Sequence, residues 1–308
     1  MADVLVVGGN GFIGSHAVDS LLRSGHHVSV FDMFGTIQPH WVEPGAEIID
    51  GNFLNEADVR ASVTGQDIVL HLLSTTDPAS AENDPTLDVR TNVISSISLF
   101  EACADAGVGH VYFASSGGSI YGDQPGQRFN ESSPTFPVSP YAIGKSTIEN
   151  YLRYFNRKTG LRSTSLRISN PYGTRQNPRK RQGIIPIFLR RVRDGLPLTI
   201  MGDGVMVRDY IYVNDLAEIV SSLVTQGATQ EIYNVGSGQP TSVMDIYAAI
   251  VSVTGITPMI EHAPTPPTYI DHVTLDVSRL HKEFGPLPLT PLREGILRTW
   301  EEIRDAAL

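Results

Sequence analysis

The first fourteen residues constrain this chain more than any other stretch. An apolar run, Val4–Val7, passes directly into Gly8-Gly9-Asn10-Gly11-Phe12-Ile13-Gly14, and Phe12 to Arg23 then carry helical periodicity. Glycines at the first, fourth and seventh positions of this loop let the backbone turn tightly and approach a ligand. The helix start presents unpaired N–H groups and the positive end of its dipole. Such a loop suits an anion, above all a pyrophosphate. A second apolar run, Val28–Phe31, ends at Asp32, about 20 residues beyond the loop. A carboxylate there accepts hydrogen bonds from adenosine ribose hydroxyls and repels a 2′-phosphate. No arginine follows it, so the loop is expected to take NAD rather than NADP.

Further apolar runs at Glu47–Ile49, Ile68–Leu72, His110–Ala114 and Arg162–Ile168 alternate with helix-like stretches near 12–24, 55–63, 86–106 and 141–158. Short β-rich runs separated by amphipathic helices predict a parallel sheet covered on both faces, a doubly wound α/β fold. After Asn170 prolines, glycines and arginines become frequent, and Ala263–Pro267 has three prolines in five positions. At 308 residues the chain exceeds one compact domain. We therefore expect a dinucleotide domain over 1–170 and a smaller α/β substrate domain over 171–308, with Tyr210–Val213 and Ile232–Val235 as strands available to rejoin the first sheet.

A net charge of −10 disfavours nucleic acid and anionic lipid surfaces as partners. No apolar stretch approaches a membrane span, and the first residues lack the basic leader of a secretion signal. The single cysteine, Cys103, has no thiol to pair with and no histidine at a usable spacing, which fits a reducing cytoplasm and a small buried helix residue. No metal is expected.

Ser139-Pro140-Tyr141-Ala142-Ile143-Gly144-Lys145 opens a helix whose apolar stripe includes Ile148, Leu152 and Phe155. The four-residue spacing puts Tyr141 and Lys145 on one face, where the ammonium favours the ionised phenol. The phenol becomes a base near neutrality only with nearby positive charge, which Lys145 and an oxidised nicotinamide would both supply. Upstream, the strand His110–Ala114 delivers Ser115-Ser116-Gly117-Gly118-Ser119-Ile120-Tyr121-Gly122 to the sheet edge where doubly wound folds bind ligands.

With these motifs, and with Val69-Leu70-His71-Leu72, Thr91-Asn92-Val93, Arg167-Ile168-Ser169-Asn170-Pro171-Tyr172-Gly173 and Gly202-Asp203-Gly204 followed by Val207-Arg208-Asp209-Tyr210-Ile211, the chain resembles the extended short-chain dehydrogenases/reductases over nearly its whole length. More narrowly, it resembles their nucleotide-sugar epimerase/dehydratase group, typified by UDP-glucose 4-epimerase. The resemblance implies a Rossmann domain holding NAD through Gly8, Gly11, Phe12, Ile13, Gly14 and Asp32. Asn52 and Phe53 would flank the adenine, and Leu72, Ser74 and Asn92 would line the cleft. Lys145 would also bond the nicotinamide ribose beside Tyr141. For a nucleotide-sugar, most readily a UDP-sugar, it implies Asn170 on the diphosphate, Ile184 and Met201 at the base, and Arg208 on a phosphate. It also implies a homodimer built on the helices near 86–106 and 141–158.

Two departures stand out. Counting back from Tyr121-Gly122 puts Gly117 at the family's catalytic hydroxyl position, whereas counting forward from the strand puts Ser116 there; Ser116 is the first choice and Ser115 the second. The second phosphate-binding arginine expected before Asp276 is missing where this chain has Pro264 to Thr268, and Arg175, Arg179, Lys180 and Arg181 are the candidates to replace it.

The implied reaction is inversion at C4 of a UDP-hexose or UDP-uronic acid. Tyr141 takes the 4-hydroxyl proton through or beside Ser116 as the C4 hydride passes to NAD, the keto sugar turns over, and both return to its other face. A 4,6-dehydratase shares the first oxidation but needs an acid pair where Gly118 and Ser119 stand. A decarboxylase and a non-catalytic NAD-binding scaffold are the remaining alternatives. Thr274, a small residue near the hexose by register, would leave room for an N-acetyl group.

Overall fold

The computed structural model describes residues 1–35, 37–124, 128–177, 183–265 and 270–305. In chain order the first elements are β1 (Asp3–Val7), α1 (Phe12–Arg23), β2 (His27–Asp32), β3 (Glu47–Asp50), α2 (Glu56–Ser62), β4 (Ile68–His71), α3 (Pro78–Asn83), α4 (Pro85–Asp88), a π-helical turn (Val89–Val93), α5 (Ile94–Ala106) and β5 (His110–Ser116). There follow β6 (Arg128–Phe129), α6 (Pro140–Thr159), β7 (Ser163–Ile168), β8 (Asn170–Tyr172), α7 (Ile184–Arg193), β9 (Leu198–Met201), β10 (Val207–Tyr212), α8 (Val213–Gln226) and β11 (Ile232–Val235). The chain continues through β12 (Pro240–Ser242), α9 (Val243–Thr254), β13 (Ile260–Ala263), β14 (His272–Leu275), α10 (Ser278–Phe284) and α11 (Leu292–Asp305).

Two compact units divide these elements. The first comprises Met1–Ser116, Ser139–Arg167 and Leu216–Tyr233, and the second Gly117–Val138, Ile168–Asp215 and Asn234–Leu308. A seven-stranded sheet in the order β11-β7-β5-β4-β1-β2-β3 dominates the first, with β1 parallel to both β2 and β4. The strand order reverses at β1/β4, and the crevice at the carboxyl ends of such strands is where ligands bind in open α/β sheets. Val4, Leu5, Val6 and Val7 are wholly buried because helices cover both faces, which is why the run is continuously apolar. The body of α8 belongs to this unit: the Tyr112 hydroxyl donates to the Leu223 carbonyl at 2.9 Å, and His26 Nε2 lies 2.9 Å from Thr225 Oγ1.

The stretch near 86–106 is not one regular helix. It is interrupted at Val89–Val93 by a π turn, the wider turn often found at functional sites. Asp88 and Asn92 are drawn inward there, both nearly fully buried. Helix α6 begins at Pro140 behind Ser139, whose hydroxyl accepts the Ala142 N–H, and ends at Gly160 with φ 79°. Its buried face holds Lys145 and Glu149 beside Ile148, Leu152 and Phe155.

In the second unit, β12-β10-β14-β6 form a sheet with β8 alongside β10, and β13 pairs with β9. Tyr172, Ile185, Phe188, Leu189, Ile246, Ile250 and Trp300 make its core. Ile232–Val235 lies at the edge of the first sheet, as β11. Tyr210–Val213 does not join that sheet, because residues 210–212 of β10 pair with β8 and residue 213 already starts α8.

Candidate active site

The glycine loop closes onto itself at the sheet edge. A side chain at Gly14 would meet the Gly8 carbonyl oxygen at 2.1 Å, so only a bare Cα allows α1 to start so close to β1. The start of α1 carries no acidic residue, and its N-cap, Gly11, has no side chain to bond the first N–H groups, which leaves that end suited to an anion. Asp32 stands across the loop, accepting from the Asn10 N–H at 3.0 Å and the Met33 N–H at 2.9 Å. The carboxyl end of β4 arrives at the same edge, where the Leu72 N–H donates to the Val7 carbonyl at 2.9 Å. Phe53 is buried with its ring 5.2 Å from that of His71, and Asn52 caps the adjoining turn by accepting the Leu54 N–H.

Ser74 and Asn92 fasten the backbone that leaves β4. The Ser74 hydroxyl donates to the Thr76 carbonyl at 2.8 Å. Asn92 accepts the Thr75 N–H at 2.9 Å and donates to Thr76 Oγ1 and Asp88 Oδ1, both at 2.8 Å. Asn92 thus acts as a bracket for residues 75 and 76.

Tyr141 and Lys145 point into this unit from α6. Lys145 Nζ donates to the Ala114 carbonyl at 2.8 Å, lies 4.8 Å from the centre of the Phe113 ring, and lies 5.7 Å from that of Tyr141. Tyr141 is hydrogen-bonded to Ser116. Burial first, then the Asp88 carboxylate, push the phenol up to about 12, with the Ser116 bond lowering it and Asp77 raising it within that net value. Burial also pulls the Lys145 ammonium down to about 8, against the Asp88 and Glu149 carboxylates. In the protein by itself, desolvation and the two carboxylates hold the phenol above its ordinary value, so its ionisation calls for added positive charge.

Ser115 faces the other way. Its hydroxyl donates to Glu149 Oε1 at 2.6 Å, and Glu149 is paired with Arg167 at 2.8 Å in a bridge where both side chains are nearly fully buried. That leaves Ser116 as the hydroxyl at the phenol. Cys103 is buried and its thiol is pushed up to about 12, an inert packing residue. Glu149 and Asp88 were missed in the sequence because a carboxylate's value here depends on partners distant along the chain. The one available signal was helical spacing, Glu149 four after Lys145 and Asp88 four before Asn92.

Ser116, expected at the sugar, lies in the first unit, and the residues expected at the nucleotide and its phosphates all fall in the second. Asn170 Nδ2 donates to the Asp209 carbonyl at 2.8 Å, and β8 sets Asn170 opposite Tyr210. Arg208, two residues before Tyr210, donates to the carbonyls of Val207, Ile270 and Asp271. Ile184 heads α7 and packs against that unit's core, and Met201 ends β9. Arg175 has a left-handed backbone, φ 61°, and its N–H donates to Glu302 at 2.7 Å. Arg179, Lys180, Arg181 and most of Pro264–Thr268 lie outside the described residues.

A nucleotide loop at a switch point, with a serine, tyrosine and lysine grouped in the same unit, defines a dinucleotide-dependent enzyme class, and comparison with known proteins gives it a family. The model of the NAD dependent epimerase/dehydratase family matches residues 4–236, and the chain belongs to that family. It is 32% identical over 307 residues to a UDP-glucose 4-epimerase of Mycolicibacterium smegmatis, covering 98% of each. It is 28% identical over 317 residues to a dTDP-glucose 4,6-dehydratase of Streptomyces niveus, covering 98% of this chain and 93% of that one. Among solved structures, a UDP-glucose 4-epimerase from Thermus thermophilus in complex with NAD matches with TM-score 0.90 and 34% identity, covering 99% of this chain and all of that one. A UDP-glucose 4-epimerase from Thermotoga maritima with UDP-glucose matches with TM-score 0.91 and 33% identity, covering 98% of each. The cofactor is NAD, and the bare-glycine cradle with Asp32 across from it fits that group. No helix among the described residues is long and apolar enough to cross a membrane.

Proposed function

We propose that this protein is a nucleotide-sugar 4-epimerase that inverts C4 of a UDP-hexose or UDP-uronic acid by transient oxidation. NAD, when bound, supplies the hydride acceptor. Tyr141 moves the proton of the sugar 4-hydroxyl, Ser116 carries the hydrogen bond between hydroxyl and phenol, and Lys145 holds the charge that lets the phenol give up its proton. Contacts to the UDP moiety are assigned to Asn170, Ile184, Met201 and Arg208.

The Ser116–Tyr141 hydrogen bond carries this reading, because it joins a hydroxyl at the end of β5 to the phenol that lies beside the buried Lys145. A dehydratase shares the first oxidation, and relatives of that activity match the chain. Elimination needs a further acid and base next to the hydroxyl, and this chain has Gly118 and Ser119 there. A homodimer in the cytoplasm is part of the proposal, supported by exposed Ile94, Ile143, Tyr151 and Tyr154 on α5 and α6.

A panel of UDP-hexoses, UDP-N-acetylhexosamines and UDP-uronic acids, scored for C4 inversion by chromatography, tests the activity. Inversion of at least one supports it; release of a 4-keto-6-deoxy sugar instead means a dehydratase, and no turnover of any sinks the assignment. Sizing at micromolar concentration tests the dimer, and a monomer overturns it.

A further inference from the structure

Asp88 is nearly fully buried at the end of α4, yet the groups that hold it are neutral. Its Oδ1 accepts from Thr76 Oγ1 at 2.5 Å and from Asn92 Nδ2 at 2.8 Å. Its Oδ2 rests on α6 at Gly144, where an added Cβ would lie 1.8 Å away. Gly144 is the residue immediately before Lys145, and it lies between Lys145 and Tyr141 on that helix. The carboxylate thus fills the notch beside the reactive pair, and the π turn that brings Asn92 round to it breaks an otherwise regular helix. A charge left in a dry interior without a counter-ion is costly, so this arrangement needs a cation in reach.

We propose that Asp88 is a positioning residue for Tyr141 and Lys145: held by Thr76 and Asn92 and seated on the bare Cα of Gly144, its carboxylate is the counter-ion that keeps the buried Lys145 ammonium protonated. The inference rests on the reading of Tyr141 and Lys145 as the reactive pair, but its test does not depend on which sugar is turned over. The other charged and titratable groups around the pair are Asp77 at the start of α3, His71 on β4, Glu149 on α6 and Arg167 on β7. Glu149 is neutralised by Arg167. His71 is held neutral by burial and by Lys145 itself, and Asp77 caps α3 by accepting the Ser80 N–H. Among the described residues Asp88 is the carboxylate that remains for Lys145, and of the groups that raise the Lys145 pKa it comes first.

Asp88→Asn keeps the size and the acceptor for Thr76 and removes the charge. Urea unfolding of D88N and the parent is measured between about pH 6 and 10. If the carboxylate supports the ammonium, the ratio of their unfolding constants falls about tenfold as pH rises through the Lys145 transition. The fall disappears when both are compared in a Lys145→Met background. A ratio that does not change with pH overturns the proposal and leaves Asp88 as packing alone. Gly144→Ala, which drives the carboxylate off the helix while keeping its charge, carries the same comparison should D88N not fold: a smaller fall in the same direction is expected, and a constant ratio again overturns the idea. In turnover assays removal of the negative charge lowers both pKa values, so both limbs of the D88N pH–rate profile move toward acid by about one unit. Should Tyr141→Phe prove fully active, the epimerase reading fails; D88N limbs unmoved while Tyr141→Phe is dead overturn this inference alone.

Discussion

Ser115 Oγ donates to Glu149 Oε1 at 2.6 Å, while its neighbour Ser116 bonds the Tyr141 phenol. Adjacent hydroxyls at one strand end therefore have separate duties. Ser116→Ala is expected to lower turnover about a hundredfold or more with little change in stability. Ser115→Ala is expected to cost about 1.5–3 kcal/mol of stability, the value of a hydrogen bond to a charged group, with turnover largely kept. Steady-state kinetics beside urea melts of both variants check the division; equal kinetic losses would refute it.

Arg167 and Glu149 are joined by two bonds, Nη2 to Oε2 at 2.8 Å and Nε to Oε1 at 3.1 Å, where water does not reach. Arg167→Met strands a buried carboxylate and should destabilise the protein by about 3–5 kcal/mol. Replacing both partners with apolar residues should cost less than this single change. Chemical denaturation of the two single variants and the double variant measures the coupling.

Gly14→Ala forces a methyl against the Gly8 carbonyl oxygen. We expect a stability loss of about 1–3 kcal/mol and protein purified with less NAD. Cofactor released on denaturation, assayed per mole of chain, is the readout. A full complement of NAD would contradict the packing.

Acid lability follows from two buried imidazoles. Burial, then Lys145, holds His71 down at about 3, and burial, then Arg162, holds His110 at about 4. His71 Nδ1 is buried with no hydrogen-bond partner among the described residues, so a proton there would be stranded among Phe53, Phe100 and Phe113. Above the ordinary histidine value both rings are neutral folded and unfolded, and neither contributes a slope. Below it the unfolded chain takes up protons that the fold refuses, so stability falls as pH drops from about 6.5 toward 4, by up to about 1.4 kcal/mol per unit for each ring. Melting temperatures across that range, for the parent and for His71→Asn, test this; an unchanged slope in the variant removes His71 as a cause.

The doubly wound sheet was legible because its signals are local. A glycine loop between strand and helix, or a strand apolar on both faces, appears within a dozen residues, and Ser139-Pro140 announces the start of α6 by itself. The π turn was not legible. Val89–Val93 has helical composition, and only the pull of Thr75 and Thr76 on Asn92 and Asp88 distinguishes it. Likewise Gly117–Val138 lies mid-chain among the elements of the first unit but belongs to the second, where β6 pairs with β14, far along the sequence.

By itself the sequence determined the alternating strands and helices of the first sheet, the dinucleotide loop with Asp32, and the spacing of Tyr141 and Lys145, all of which depend on position along the chain. Only the tertiary structure decided which serine meets the phenol and which carboxylates surround the lysine. Those outcomes depend on groups that fold together from distant segments, and on loss of water, which raised the Tyr141 phenol although a lysine sits one turn away.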